Sequence, residues 1–146
     1  MRELWEDERV TTFARSSAKG ALIALIGVSL AGTADVAQFL ATRSSMFTQA
    51  PGRAAGSVVG LVAWAALLGV AAGRYAGGER RWSRVATLGL AGLVAAGSVG
   101  LTAIHLKAGV GGLGPIVGGV LGLLALILAL AATLRSPKRL PLRAPA

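Results

Sequence analysis

The chain has no cysteine and a single histidine, His105, among its 146 residues. Without cysteine there are no disulfides, thiol nucleophiles or thiolate metal ligands. With one histidine, a structural zinc site or a bis-histidine haem has no ligand set within one chain, so neither a metal nor another cofactor is expected. Charge is also scarce: Asp, Glu, Lys and Arg make up 14% of the residues, against about 25% in an ordinary soluble domain. No stretch is polar for long enough to house a soluble catalytic domain, and one histidine with one buried aspartate is thin support for membrane-embedded chemistry. An enzyme is therefore not expected.

What the chain does contain is apolar. Hydrophobic residues account for 54% of it, glycine contributes 21 positions, and the mean hydropathy is +0.68. A helix needs about 20 apolar residues to cross the hydrocarbon of a bilayer. Four stretches qualify, at 20–41, 56–73, 85–106 and 115–134. The expected fold is an all-α integral membrane protein, a four-helix transmembrane bundle whose consecutive helices are antiparallel because the 74–84 and 107–114 connections are short. No small-residue cleavage site follows a short apolar core near the N-terminus, so the first span is expected to be retained.

The bases are unevenly placed. Arg2, Arg9, Arg15 and Lys19 precede span one, Arg74, Arg80, Arg81 and Arg84 fall between spans two and three, and Arg135, Lys138, Arg139 and Arg143 follow span four. Only Arg43, Arg53 and Lys107 fall on the opposite side. This bias places both termini in the cytoplasm. The Ala, Gly, Leu and Arg-heavy composition suggests a bacterial cytoplasmic membrane. Spread over three short segments, the bases read as a topology signal that also attracts anionic lipid rather than as a nucleic-acid surface, and no nucleic-acid partner is expected. Residues 1–19, with Leu4, Trp5, Val10 and Phe13 among their charges, read either as an interfacial amphipathic helix or as a solvated leader. Residues 135–146, a basic tail holding three of the five prolines, read as irregular.

Lipid tails give helices no hydrophobic reason to associate, so close backbone approach and polar contacts must do so. Glycines recur four apart at Gly56 and Gly60, at Gly69 and Gly73, and at Gly114, Gly118 and Gly122. Each set strips one helix face of side chains and is a candidate packing surface, within one chain or between chains. In span four the later "LLALILAL" is bulky and expected to face lipid. Spans two and four open on "GSVVG" and "GPIVG", and spans one and three share Gly27, Gly32, Thr33 and Gly92, Gly97, Ser98. This faint repeat raises the expectation of two tandem hairpins. The "GVGGLG" of 109–114 matches a dinucleotide fingerprint in letters only, because that motif needs a preceding strand; here it is a turn before Pro115.

The chemistry concentrates in span one. An ionisable group inside a span is costly and marks a functional hypothesis. At 1.5 Å per residue, Asp35 stands about 24 Å along the helix from Lys19 and about 12 Å short of Arg43. Gln38 lies three residues on. In span three, Ser98, Thr102 and His105 follow an i, i+4, i+7 stripe. Asp35, Gln38, Ser98, Thr102 and His105 thus form a candidate intramembrane polar layer. Ser98 and Thr102 are level with Asp35 and are preferred over His105 as its partners, with Arg43 or Arg53 folding down and the Trp64 indole as further donors. Asp35 then reads as a structural clasp, as a proton or cation site, or as a contact to another subunit. The resulting function classes are a structural or accessory subunit, in a homo-oligomer or a larger membrane complex, and a small proton- or cation-coupled transporter or channel. Small four-span exporters carry one carboxylate in their first span, which Asp35 resembles, although those of dual topology lack a charge bias as strong as this one.

Overall fold

The computed structural model describes residues 2–78, 80–109 and 113–135. Helix α1 (Arg2–Thr42) is followed by a single short turn of helix, α2 (Met46–Gln49), and by α3 (Pro51–Gly77), α4 (Arg81–Lys107) and α5 (Leu113–Leu134). There is no strand among the described residues. Each expected span lies inside one of the four long helices, and all four are long and apolar enough to cross a membrane. Proline placement explains the boundaries. Pro51 is the first residue of α3 and Pro115 lies in the first turn of α5, where a missing N–H costs nothing, and no proline falls deeper in any described helix. Gly78, with φ of 77°, ends α3, and Gly109, with φ of 67°, follows α4, as left-handed helix ends require.

The helices are longer than the spans. α1 runs unbroken from Arg2, so residues 2–19 are helical and share one element with span one. Val10 and Phe13 are exposed. The expected 42–55 loop contains α2 and the first turn of α3, and the 74–84 loop shrinks to the few residues between Gly77 and Arg81. The tail from 136 onward lies outside the described residues; Arg135 just before it donates to the Ser17 hydroxyl at 2.6 Å, tying the end of α5 to α1.

Neighbouring helices are antiparallel. The most extensive pairings are α4 with α5 and α1 with α3, and the bundle closes through α1–α5 and α3–α4, with the diagonal pairs apart. Every helix turns a face of small residues inward. On α5 that face is Gly119, Gly122, Ala125, Ala129 and Ala132; on α4 it includes Ser83, Thr87, Ala91 and Ala95. The "LLALILAL" stretch therefore does not face outward as a whole: Ala125 and Ala129 are completely buried while Ile127 and Leu130 are exposed. Small side chains at a three- and four-residue spacing let backbones approach closely, and the larger residues fill the remaining core, above all Leu25, Leu67, Trp64 and Val94.

The glycines divide by what surrounds them. A Cβ on Gly32 would lie 2.5 to 2.7 Å from the Trp64 ring, one on Gly122 would lie 2.7 Å from Ser98 Cβ, and one on Gly119 would lie 2.9 Å from Thr102 Oγ1. These are the close approaches between helices. At Gly56, Gly60, Gly69, Gly73 and Gly114 a Cβ would meet nothing within 4 Å, so these glycines make no close packing within the chain. Gly118 is intermediate, facing Asp35 Oδ2 at 3.8 Å.

Candidate functional site: a cavity at the far end of the bundle

At the end of the bundle away from the two termini, the four long helices part around a cavity of about 260 Å³. α1 contributes Gly32, Asp35, Val36, Phe39 and Arg43 to its wall, and α4 contributes Ser98, Leu101, Thr102 and His105. Ser57 and Trp64 come from α3, and Gly114, Pro115, Gly118 and Leu121 from α5. The local reason is helical spacing: 32, 35, 36, 39 and 43 form one face of α1, and 98, 101, 102 and 105 one face of α4. Trp64, only 3% exposed and seated against Gly32, forms the floor. Beneath it the core is largely apolar, formed by Leu25, Leu67, Val94 and the buried alanines.

Four of the five expected polar residues meet here: Asp35, Ser98, Thr102 and His105 all line the cavity. Gln38 does not. It is exposed on the outside of α1, because the inward face continues from Asp35 through Phe39 rather than through Gln38. Of the glycines singled out for packing, Gly114 and Gly118 line this cavity instead, and Gly122 packs against Ser98 just below it.

Thr102, His105 and Arg43, three of the expected partners of Asp35, are engaged elsewhere. Thr102 Oγ1 lies 2.5 Å from the Pro115 carbonyl oxygen of α5 and 2.8 Å from the Ser98 carbonyl of its own helix, and its single proton is divided between them. Thr102 is thus a clasp from α4 to the α5 backbone. His105 Nδ1 is 2.7 Å from the Leu101 carbonyl. A carbonyl only accepts, so Nδ1 is the donor in this contact. The His105 ring meets Phe39 edge-on with centroids 6.0 Å apart, and the Arg43 guanidinium lies 5.2 Å from the Phe39 centroid, a cation–π arrangement. Arg53 is exposed. Among the described residues Asp35 has no hydrogen bond and no ion pair, whether with Ser98, Thr102, His105, Arg43, Arg53 or Trp64.

The site therefore holds a carboxylate low in its wall, about 4.5 Å along α1 from the floor by the helix rise, and towards its rim the Arg43 guanidinium, folded back over Phe39 one turn above Asp35. Phe39 and Trp64 add aromatic surface. Such a cavity can take up a small cation or a proton at Asp35. The sequence places Trp64 and Arg43 near Asp35 as donors; the Arg43–Phe39–His105 arrangement was the part that sequence reasoning missed, and the i+4 and i+8 spacing of Phe39 and Arg43 from Asp35 was the available signal. Compared with family models, with curated proteins and with solved structures, the chain has no match, and its function rests on this geometry.

Proposed function

We propose that the protein is an integral membrane carrier of small cations or protons, with Asp35 as the group that binds them. The observation that supports it is the placement of Asp35: its carboxylate lines a cavity shared by four helices, and no other described residue neutralises it. A clasp would have closed on Ser98 or Thr102. A charge left beside an open cavity is what reversible cation binding needs, since a permanent partner would have to be displaced at every cycle. The apolar core beneath Trp64 serves as the barrier, so access from the other side requires movement at the Gly32–Trp64 contact. The bilayer itself is the first partner: the helices carry exposed Val59, Val62, Ile127 and Leu134, an outer surface suited to lipid. The composition supports a bacterial cytoplasmic membrane, and the charge bias supports both termini in the cytoplasm.

The test is flux in liposomes. Wild-type protein should dissipate an imposed pH gradient when small alkylammonium ions are supplied, and Asp35→Asn, which keeps size and hydrogen bonding but not charge, should abolish that flux while the helical content stays unchanged. Wild-type liposomes with no flux above that of protein-free liposomes, with protons alone or with any alkylammonium ion, would refute the carrier reading. A second reading, an accessory subunit or homo-oligomer, is favoured by one observation. Gly69 and Gly73 lie one turn apart on the exposed face of α3, where a Cβ would meet nothing of their own chain within 4 Å, which leaves a face for another helix. Recovery of a stoichiometric partner, or of a defined oligomer, from mild detergent would support it.

A further inference from the structure

We infer that the cargo of the Asp35 cavity is a zwitterion: a small molecule carrying an ammonium and a carboxylate on an apolar body, of which an amino acid with an aliphatic side chain is the simplest kind. This rests on the reading of Asp35 as the group that receives a positive charge, and it adds the group that receives the negative one.

The cavity wall holds one acid, Asp35, and one guanidinium, Arg43. They project from the same helix about two turns apart, yet form no ion pair with each other or with any other described residue. The sequence offers neither of them another counter-ion nearby. No acid other than Asp35 occurs between Glu8 and Glu79, and none follows Glu79. Glu8 stands about 40 Å down α1 by the helix rise, and Glu79 falls in sequence between α3 and α4, which join at the opposite end of the bundle. Residues 110–112, between α4 and α5, are Val, Gly and Gly and bring no charge. Most other polar groups of the wall are committed. Ser57 Oγ donates to the Arg53 carbonyl at 3.0 Å, Thr102 Oγ1 is shared between two carbonyls, and His105 Nδ1 donates to a third.

Electrostatics then select among ligands. The Arg43 guanidinium lies 5.2 Å from the Phe39 centroid, on the ring that a free cation would use. A monocation drawn to Asp35 shares the cavity with that guanidinium, and an anion drawn to Arg43 shares it with the carboxylate. Like charges repel more strongly where the effective dielectric constant is below that of water. A molecule with one charge of each sign satisfies both groups and brings no net charge into the membrane interior, where charge is costly. A carboxylate also suits the paired donors of a guanidinium. The cavity, about 260 Å³, is smaller than the roughly 300–1,000 Å³ of a site for drug-sized ligands, which fits a molecule of amino-acid size. Val36, Leu101 and Leu121 give its wall an apolar surface for the aliphatic part.

The experiment is equilibrium dialysis of the full chain in detergent against three radiolabelled ligands that share one aliphatic part. They are L-leucine, isopentylamine (leucine without its carboxylate) and isocaproate (leucine without its amino group), each taken to about 1 mM, the upper end of ordinary substrate affinities. Leucine should bind about tenfold more tightly than either of the others. Arg43→Gln, at an exposed position, should weaken leucine about tenfold, the worth of one charge-assisted hydrogen bond, and leave isopentylamine unchanged or tighter. Asp35→Asn should weaken leucine and isopentylamine alike. Arg53→Gln, outside the cavity wall, should leave leucine binding unchanged. Isopentylamine binding as tightly as leucine to the wild type, or an equal loss of both with Arg43→Gln, would overturn the zwitterion and leave Asp35 standing as a cation site. Binding of neither leucine nor isopentylamine would overturn the zwitterion and count against the Asp35 reading as well.

Discussion

Thr102 shows how much one hydroxyl decides. It was expected to hold Asp35, and it instead reaches across to the Pro115 carbonyl while packing on Gly119. Proline has no N–H but keeps a carbonyl, and its position in the first turn of α5 puts that oxygen where α4 can reach it. An interhelical bond of this kind is worth about 0.6 kcal/mol on average and up to about 1.7 kcal/mol within a membrane. Thr102→Val, which keeps the shape, should therefore destabilise the bundle by about 1 kcal/mol, measurable by unfolding in a mixed-micelle denaturant series. A loss no larger than that of Gln38→Leu on the exposed face would show that the clasp contributes nothing. The sequence brought Thr102 to the right place and face; its partner was decided by which helix packed against it.

At the scale of the helix, the distinction between packed and open glycines has a direct consequence. Ala at Gly32 or Gly122 forces a methyl group against the Trp64 ring or against Ser98 and the α4 backbone. Overpacking of this type costs about 1–3 kcal/mol. Ala at Gly60 or Gly69 meets no atom of the chain and should leave the monomer's melting temperature unchanged or slightly raised. Thermal unfolding of the four variants in one detergent checks the contrast; four equal shifts would contradict the packing described. If Gly69→Ala spares the monomer but dissociates an oligomer seen in mild detergent, the exposed α3 face belongs to an interface between chains. Glycine spacing alone could not separate the two groups. The stripes on α3 have the required period, but its inward face runs through Ser57, Trp64, Leu67, Ala71 and Arg74; by helical period Gly60 falls on that face, whereas Gly69 and Gly73 fall on the opposite one. On α5 the seam continues through Ala125, Ala129 and Ala132, residues as suitable for close approach as glycine but less conspicuous in a leucine-rich stretch.

For the whole molecule, the charge bias makes the strongest prediction. Single cysteines introduced at Arg81 and Ala108, both exposed and at opposite ends of α4, should be labelled from opposite sides of the membrane. Arg81→Cys should react only after the cytoplasmic face is opened, and Ala108→Cys in intact cells. The reverse pattern would invert the orientation and place the Asp35 cavity on the cytoplasmic side. Ser83, although closer to the middle of the basic segment, is buried against Arg80 and Thr87 and is a poor labelling position.

The number of long helices, their apolar character and the lengths of their connections follow from composition, because an apolar run of about 20 residues has one stable form in a bilayer. Helical period likewise set Asp35, Ser98, Thr102 and His105 on faces that could meet. Which faces did meet was a matter of packing. Gly32 admits Trp64 and Gly119 admits Thr102 only when particular helices lie side by side, and that pairing turned Gln38 outward and left Asp35 beside a cavity rather than in a clasp. The same pairing drew Arg74 out of an apparent loop and into the bundle, where Thr87 receives it. A periodic sequence specifies the angle at which a side chain leaves its own helix, whereas the neighbour it reaches depends on how four such helices share their small residues.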